Sequence, residues 1–211
     1  MSNAAKKVYA PGELDAAEVA HACSQDPSRP HLHTPFGCLL GGHGFICATD
    51  GHRVAAVRSD DWRAYQRSDA PRLEAVLARN FVEIGEIGNG SEQGSGFPAS
   101  WSAVVTLHPS GVATLDAYFE RGPKKNRRRI SVLKEARVEW LAHHLRLGET
   151  AIGLDLGYLV DAMAHVGTPT LYMHAEPGRK GVDPLSPVVL TSTSKPPFEC
   201  HRFAVVMPVR L

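Results

Sequence analysis

The chain has 211 residues. At about 150 residues per domain that is one large domain or two small ones, with enough chain for a real core. Its apolar fraction of 43% and charged fraction of 21% are those of a globular protein and exclude a disordered chain, a fibre or a coiled coil. With 23 basic against 22 acidic residues the net charge is only +1, so any contact with nucleic acid or membrane has to come from a local patch. No run approaches about 18 uninterrupted apolar residues, and Met1 to Ala10 carries two lysines but no apolar h-region. Neither a membrane span nor a secretory signal is expected, and the expected location is cytoplasmic. Cys23, Cys38, Cys47 and Cys200 show no CxxC spacing and are read as buried thiols.

Residues 13–24 predict a short helix. Asp15 is its expected cap with Glu18 at the capping-box position, and Ala16, Val19, Ala20 and Cys23 form one apolar face. Strands are predicted at Phe36–Leu40, Gly44–Thr49 and Arg53–Arg58. Gly41 to Gly44 joins the first two, and Asp50-Gly51 turns the second into the third because Asp-Gly supplies positive φ. Pro71 to Arg79 reads as a helix with Leu73, Val76 and Leu77 on one face. Gly85 to Gly96 reads as a mobile loop.

Two strands, Ser102–Leu107 and Val112–Phe119, flank the turn His108-Pro109-Ser110-Gly111, and Arg128–Glu139 is a third, broken at Lys134-Glu135. Trp140–Leu147 reads as a helical turn. Ala151–Leu154 is a strand, and Asp155 caps a helix with Leu156, Leu159, Val160, Met163 and Val166 at helical spacing. Strands Thr170–His174, Pro187–Thr191 and Arg202–Val209 close the chain. The chain therefore ends as it begins, with one short helix and three strands. Few helices among many hairpin strands predict an α+β fold with antiparallel sheets.

Eleven histidines invite a metal reading. His31, His33, His43, His52, His143, His144 and His174 are scattered, however, with no HExxH and no Cys/His pairs at zinc-ligand spacing. GxSxG is absent, no cysteine has an activating context, and the GNGSEQGSG stretch matches neither GxGxxG nor the Walker pattern. A metal-dependent hydrolase is therefore the weakest functional alternative, and the expectation is a protein that is not an enzyme and holds no cofactor or metal.

Two features point to binding instead. Arg121, Lys124, Lys125, Arg127, Arg128 and Arg129 place six cations in nine residues, a run that fits either a phosphate backbone or a solvated hairpin loop. The carboxyl end, Phe203 to Leu211, is almost wholly apolar, whereas termini are ordinarily polar and frayed. It predicts a partly packed edge strand lining a groove. Pro208 suits an edge because it removes a ladder donor, and Met207 adapts to varied partners.

Two segments then carry a resemblance. Ala48-Thr49-Asp50-Gly51-His52-Arg53-Val54-Ala55 resembles the ATDGHRLA signature of the bacterial sliding clamp, the β subunit of DNA polymerase III. Val205-Val206-Met207-Pro208-Val209-Arg210-Leu211 resembles the VMPMRL ending of that family. Between them, Ile152 to Ala162 is similar to the strand-and-helix stretch of its last domain, and Asp183-Pro184-Leu185-Ser186-Pro187-Val188 is similar to a strand entry there.

The resemblance implies the sliding-clamp fold in a shortened form. Residues 1–97 would correspond to the family's second domain, with 60–97 divergent, and residues 98–211 to its third. A counterpart of the first domain is not expected. The family encircles duplex DNA and docks short linear peptides of polymerases and repair proteins. Carried over by motif, the implied peptide site comprises Thr49, Gly51, His52 and Val54 with Val205, Val206, Met207, Pro208, Val209, Arg210 and Leu211. Candidate contacts to double-stranded DNA are Arg53, Arg72, Arg79, Lys124, Lys125, Arg127, Arg128 and Arg129, since the helix at 13–24 and the helix after Asp155 carry no Lys or Arg. Six domains close the family's ring, so two per chain imply a homo-oligomer, a head-to-tail trimer. The alternative is a peptide-binding adaptor or decoy that does not encircle DNA.

Overall fold

Two helix-and-strand units are joined edge to edge in one antiparallel sheet. The structure is a computed structural model that describes residues 9–73, 77, 81–86, 101–107, 113–119, 126–133, 150–167, 170–174, 186–193, 195 and 197–209. The first unit is α1 (Glu13–Val19) followed by β1 (Phe36–Leu40), β2 (His43–Thr49) and β3 (Arg53–Arg58). Then come β4 (Phe81–Glu86), β5 (Trp101–Leu107), β6 (Ala113–Phe119), β7 (Asn126–Leu133) and β8 (Thr150–Asp155). The second unit is α2 (Leu156–Val166), β9 (Thr170–His174), β10 (Val188–Thr191) and β11 (Arg202–Val206), and β12 (Pro208–Val209) follows.

The larger sheet has seven strands in the order β1-β2-β3-β11-β10-β9-β4, and the smaller has five in the order β12-β8-β5-β6-β7. The first unit runs into the sheet as β1-β2-β3 and the second mirrors it as β11-β10-β9. A local two-fold thus passes between β3 and β11, near the pair Ala55 and Ala204. The repeated order expected from sequence is therefore a repeated structure. The β3–β11 pairing also joins sequence on both sides of residues 97 and 98 by backbone hydrogen bonds.

Alternation decides the layers. Phe45, Cys47, Val54, Ala56, Phe203 and Val205 point to one face and pack with Leu73, Leu77, Tyr172 and Val189. Phe45 and Phe203 meet edge to face at 5.3 Å, the geometry their ring quadrupoles favour. The other face carries Ile46, Ala48, Ala55 and Val57 beneath Ala16, Val19, Ala22 and Cys23 of the first helical segment. Gly37 is required by close approach, because a Cβ there would lie 1.8 Å from the carbonyl oxygen of buried Trp62. All four cysteines are buried and none forms a disulfide.

The structure corrects several expectations. Asp15 does not cap α1. Gly12 occupies the N-cap with no side-chain cap, and Ala10 N–H donates to Glu13 Oε2 at 2.8 Å. The helix tightens to a 3₁₀ turn at Ala20–Ala22, so Ala22 is buried in place of Ala20. Gly85 and Glu86, assigned to a loop, end β4, which pairs with β9. Of the predicted helix at 71–79 only residues 71–73 and 77 are described, and Leu77 N–H donates to the Leu73 carbonyl at 2.9 Å. Most of the predicted loop at 85–96, the Lys134-Glu135 break and the helical turn at Trp140–Leu147 lie outside the described residues. Asp155 does cap α2, accepting from Tyr158 N–H at 3.0 Å.

The last strand differs most from its reading. Residues 202–209 are not one edge strand. β11 is interior, between β3 and β10, and the chain leaves that sheet at Met207 to pair as β12 with β8. Only Pro208–Val209 sits at an edge, where the missing proline N–H costs no ladder bond.

Candidate functional site

The hairpin at residue 50 and the end of the chain meet. β3 and β11 are in register with Val54 opposite Val205 and Arg53 opposite Val206, and Met207 N–H extends the ladder by donating to the His52 carbonyl at 2.8 Å.

Side-chain chemistry fixes the hairpin. Thr49 Oγ1 donates to the Arg53 carbonyl at 2.6 Å and accepts from Gly51 N–H at 3.0 Å. Asp50 Oδ1 accepts from the N–H groups of His52 and Arg53 at 2.9 and 3.1 Å. Gly51 has φ +94°, which a side chain resists, and a Cβ there would meet Arg29 Nη1 at 2.9 Å. Arg29 in turn donates to the Asp50 carbonyl at 3.2 Å.

Arg53 is the hub. Its Nε pairs with Asp50 Oδ2 at 3.1 Å, Nη1 pairs with Asp161 of α2, and Nη2 donates to the His21 carbonyl at 2.9 Å. Its guanidinium lies 4.8 Å from the centroid of the Tyr158 ring, and His52 stacks on that ring at 6.2 Å with planes 12° apart. Burial, then the Asp50 and Asp155 carboxylates, push the Tyr158 hydroxyl above its ordinary pKa. Tyr158 was missed as a site residue. Its place two residues into a capped helix carried no signal that its ring would reach a hairpin about a hundred positions earlier.

The predicted peptide residues fall into two groups. Thr49, Val54, Val205 and Val206 are buried by the chain's own packing, Val54 and Val205 on the Phe45 face and Val206 on the opposite one, so they are framework and not accessible surface. Gly51 and His52 are exposed and Met207 and Pro208 half-buried, so these are the accessible part. Val209 has its backbone in β12, and Arg210 and Leu211 lie outside the described residues. Of the predicted DNA contacts, Arg53 is engaged internally as above and Arg72 is exposed. Arg127, Arg128 and Arg129 have their backbone on β7, an edge of the smaller sheet. Arg79, Lys124 and Lys125 lie outside the described residues.

A second polar centre lies between the helices, which share one face of the larger sheet. A cavity of about 430 Å³ is lined by Glu18, His21, Asp161, Ala164, His165 and Arg202. Arg202 Nε approaches Glu18 Oε1 at 2.5 Å and its Nη2 donates to Oε2 at 3.0 Å. Burial holds the His165 imidazole below its ordinary pKa; hydrogen bonding to Ala56 and the Glu18 carboxylate act against that. Among the described residues no group of three or more His, Cys, Asp or Glu is placed to hold a metal ion, and no helix is long and apolar enough to cross a membrane.

Solved structures decide what this architecture is. The polymerase III β protein of Caulobacter crescentus superposes with a TM-score of 0.61 at 16% identity, covering 93% of this chain and 63% of its own. The chain has the sliding-clamp fold. The DNA polymerase sliding clamp of Pseudomonas aeruginosa, solved with a ligand, gives a TM-score of 0.58 at 16% identity, again covering 93% of this chain and 63% of the other. The Bacillus subtilis sliding clamp gives 0.57 at 12% identity, with 95% and 63% covered. This clamp-fold chain therefore spans less than two thirds of the clamps it superposes on. No protein-family model and no curated protein sequence matches it. At such identities the backbone is shared while most side chains are not, so the clamp fold stands on structure and the site on its own residues.

Proposed function

We propose that this chain is a shortened, non-enzymatic clamp-like protein that captures a short linear peptide from a DNA polymerase or repair protein. The observation that carries this reading is the Met207-to-His52 backbone bond, which places the hairpin and the chain end in one seam. At that seam His52, Tyr158, Met207 and Pro208 offer ring faces, a thioether and a pyrrolidine, the chemistry that anchors apolar side chains of an extended peptide. On this reading residues 1–97 and 98–211 are the counterparts of two clamp domains, and the protein works in the cytoplasm.

Titration of a fluorescent clamp-binding peptide tests the reading, comparing the full chain with one lacking Arg210 and Leu211. The expected result is saturable binding that the truncation weakens by about tenfold or more. Equal affinity in both chains removes the assignment.

Encirclement of duplex DNA by a trimeric ring is the stronger form of this proposal. One observation favours the alternative of a peptide-binding adaptor that does not encircle DNA. α1 and α2 carry no Lys or Arg, and Arg53 and Arg202 on the same side are paired to Asp161 and Glu18. Duplex affinity that falls steeply with salt, together with a trimer mass in light scattering, supports the ring, and a monomer without such affinity supports the adaptor.

A further inference from the structure

The peptide site makes no use of the two imidazoles between the helices. The His165 side chain is 1% exposed, and its Nε2 lies 3.0 Å from the Ala56 carbonyl oxygen. A carbonyl oxygen only accepts, so Nε2 bears the hydrogen and the neutral ring carries a bare lone pair on Nδ1. That Nδ1 faces Glu18 Oε1 at 3.8 Å beside the cavity. His21 is arranged the other way round. Its Nδ1 lies 3.0 Å from the Glu18 carbonyl oxygen, which leaves Nε2 bare. The two rings are 5.5 Å apart at their centroids.

The charges around His165 come from four elements. Glu18 and His21 face it from the first helical segment, and Arg202 faces it from β11. Asp161, on its own helix, is held by Arg53 from β3. Glu18 is the facing carboxylate that favours a proton on His165, and Arg202 already occupies it.

We propose that His165, packed against His21, is an acid-operated release of the first helical segment from α2 and β11. In acid, a proton on His165 Nδ1 places a second cation beside Arg202, which already occupies the facing Glu18 carboxylate. β3 and β11 are hydrogen-bonded on both sides and hold. α1 and its 3₁₀ turn, with His21 exposed at the end, give way. The release also reaches the hairpin, because Arg53 Nη2 donates to the His21 carbonyl. It does not depend on what docks at the hairpin.

Hydrogen exchange of the full chain at about pH 7.5 and about pH 5, corrected for the intrinsic pH dependence of exchange, tests this. Protection over residues 13–22 is expected to fall by about tenfold or more in acid while that of β2 holds. His165→Asn, which still offers an N–H to the Ala56 carbonyl but does not titrate, is expected to abolish the difference. Equal protection at both pH values in the wild type, or the same acid loss in the variant, overturns the proposal. Nitrogen-15 resonances of the wild-type ring give a reading that needs no variant. The Nε2–H tautomer at neutral pH and a titration below that of ordinary histidine are expected. An Nδ1–H tautomer, or titration at or above the ordinary value, overturns it.

Discussion

Arg202, the first residue of β11, grips Glu18 of α1 through two nitrogens, at 2.5 and 3.0 Å. The matching residue of the first unit, Arg53, grips Asp161 of α2. Each strand arginine thus reaches the acid on the other unit's helix, and the local two-fold relates the two pairs. The units share a sheet on one side and a crossed pair of ion pairs on the other.

Glu18→Gln is expected to lower stability by roughly 1 kcal/mol, measured by urea denaturation, because the pair is partly exposed and solvent screens it. A double-mutant cycle with Arg202→Gln should return a coupling of about 0.5 kcal/mol or more.

Phe203→Ala should cost about 3–5 kcal/mol. The ring is fully buried and edge-on to Phe45, so truncation leaves a cavity in the centre of the larger sheet. Urea denaturation reads the loss directly.

Gly37→Ala should destabilise by about 1–3 kcal/mol, because the added methyl meets a backbone oxygen that cannot step aside. A melting temperature equal to that of the wild type would contradict the packing of Trp62 over β1.

Stability should fall as the pH drops below about 6.5, where the unfolded chain's histidine takes a proton that buried His165 resists. The folded-state pKa is depressed, so the contribution is fully present above the unfolded value and lost on descent towards the folded one. Urea denaturation of wild type and His165→Asn across this range should show a smaller acid loss in the variant.

Tyr158→Ala should weaken peptide capture by about tenfold or more if the seam is the docking site, with little change in urea midpoint. Its ring is only half-buried and meets His52, Arg53 and Asp50 of the hairpin, so it supports the exposed side of the seam rather than the core.

Local rules made most of the strands legible. β1, β2 and β3 are read as short apolar runs bounded by turns at Gly41-Gly42 and Asp50-Gly51, with burial nearly continuous because both faces are covered, and Asp155 announces α2 by its capping chemistry. Asp15 misled because a capping-box spacing also occurs inside a helix. β4 was missed because its pairing with β9 supplies the order that its own residues do not advertise. The sequence by itself determined the hairpins, the repeated helix-then-strands order and the two segments that make the seam, since these depend on residues near one another in the chain. Only the tertiary structure decided that β11 is interior, that its valines are buried in the protein's own core and that Tyr158 joins the seam. It alone decided, too, that Arg53 and Arg202 are paired internally. Each of those facts depends on a contact across about a hundred residues or more, where side-chain periodicity carries no information about which partner lies opposite.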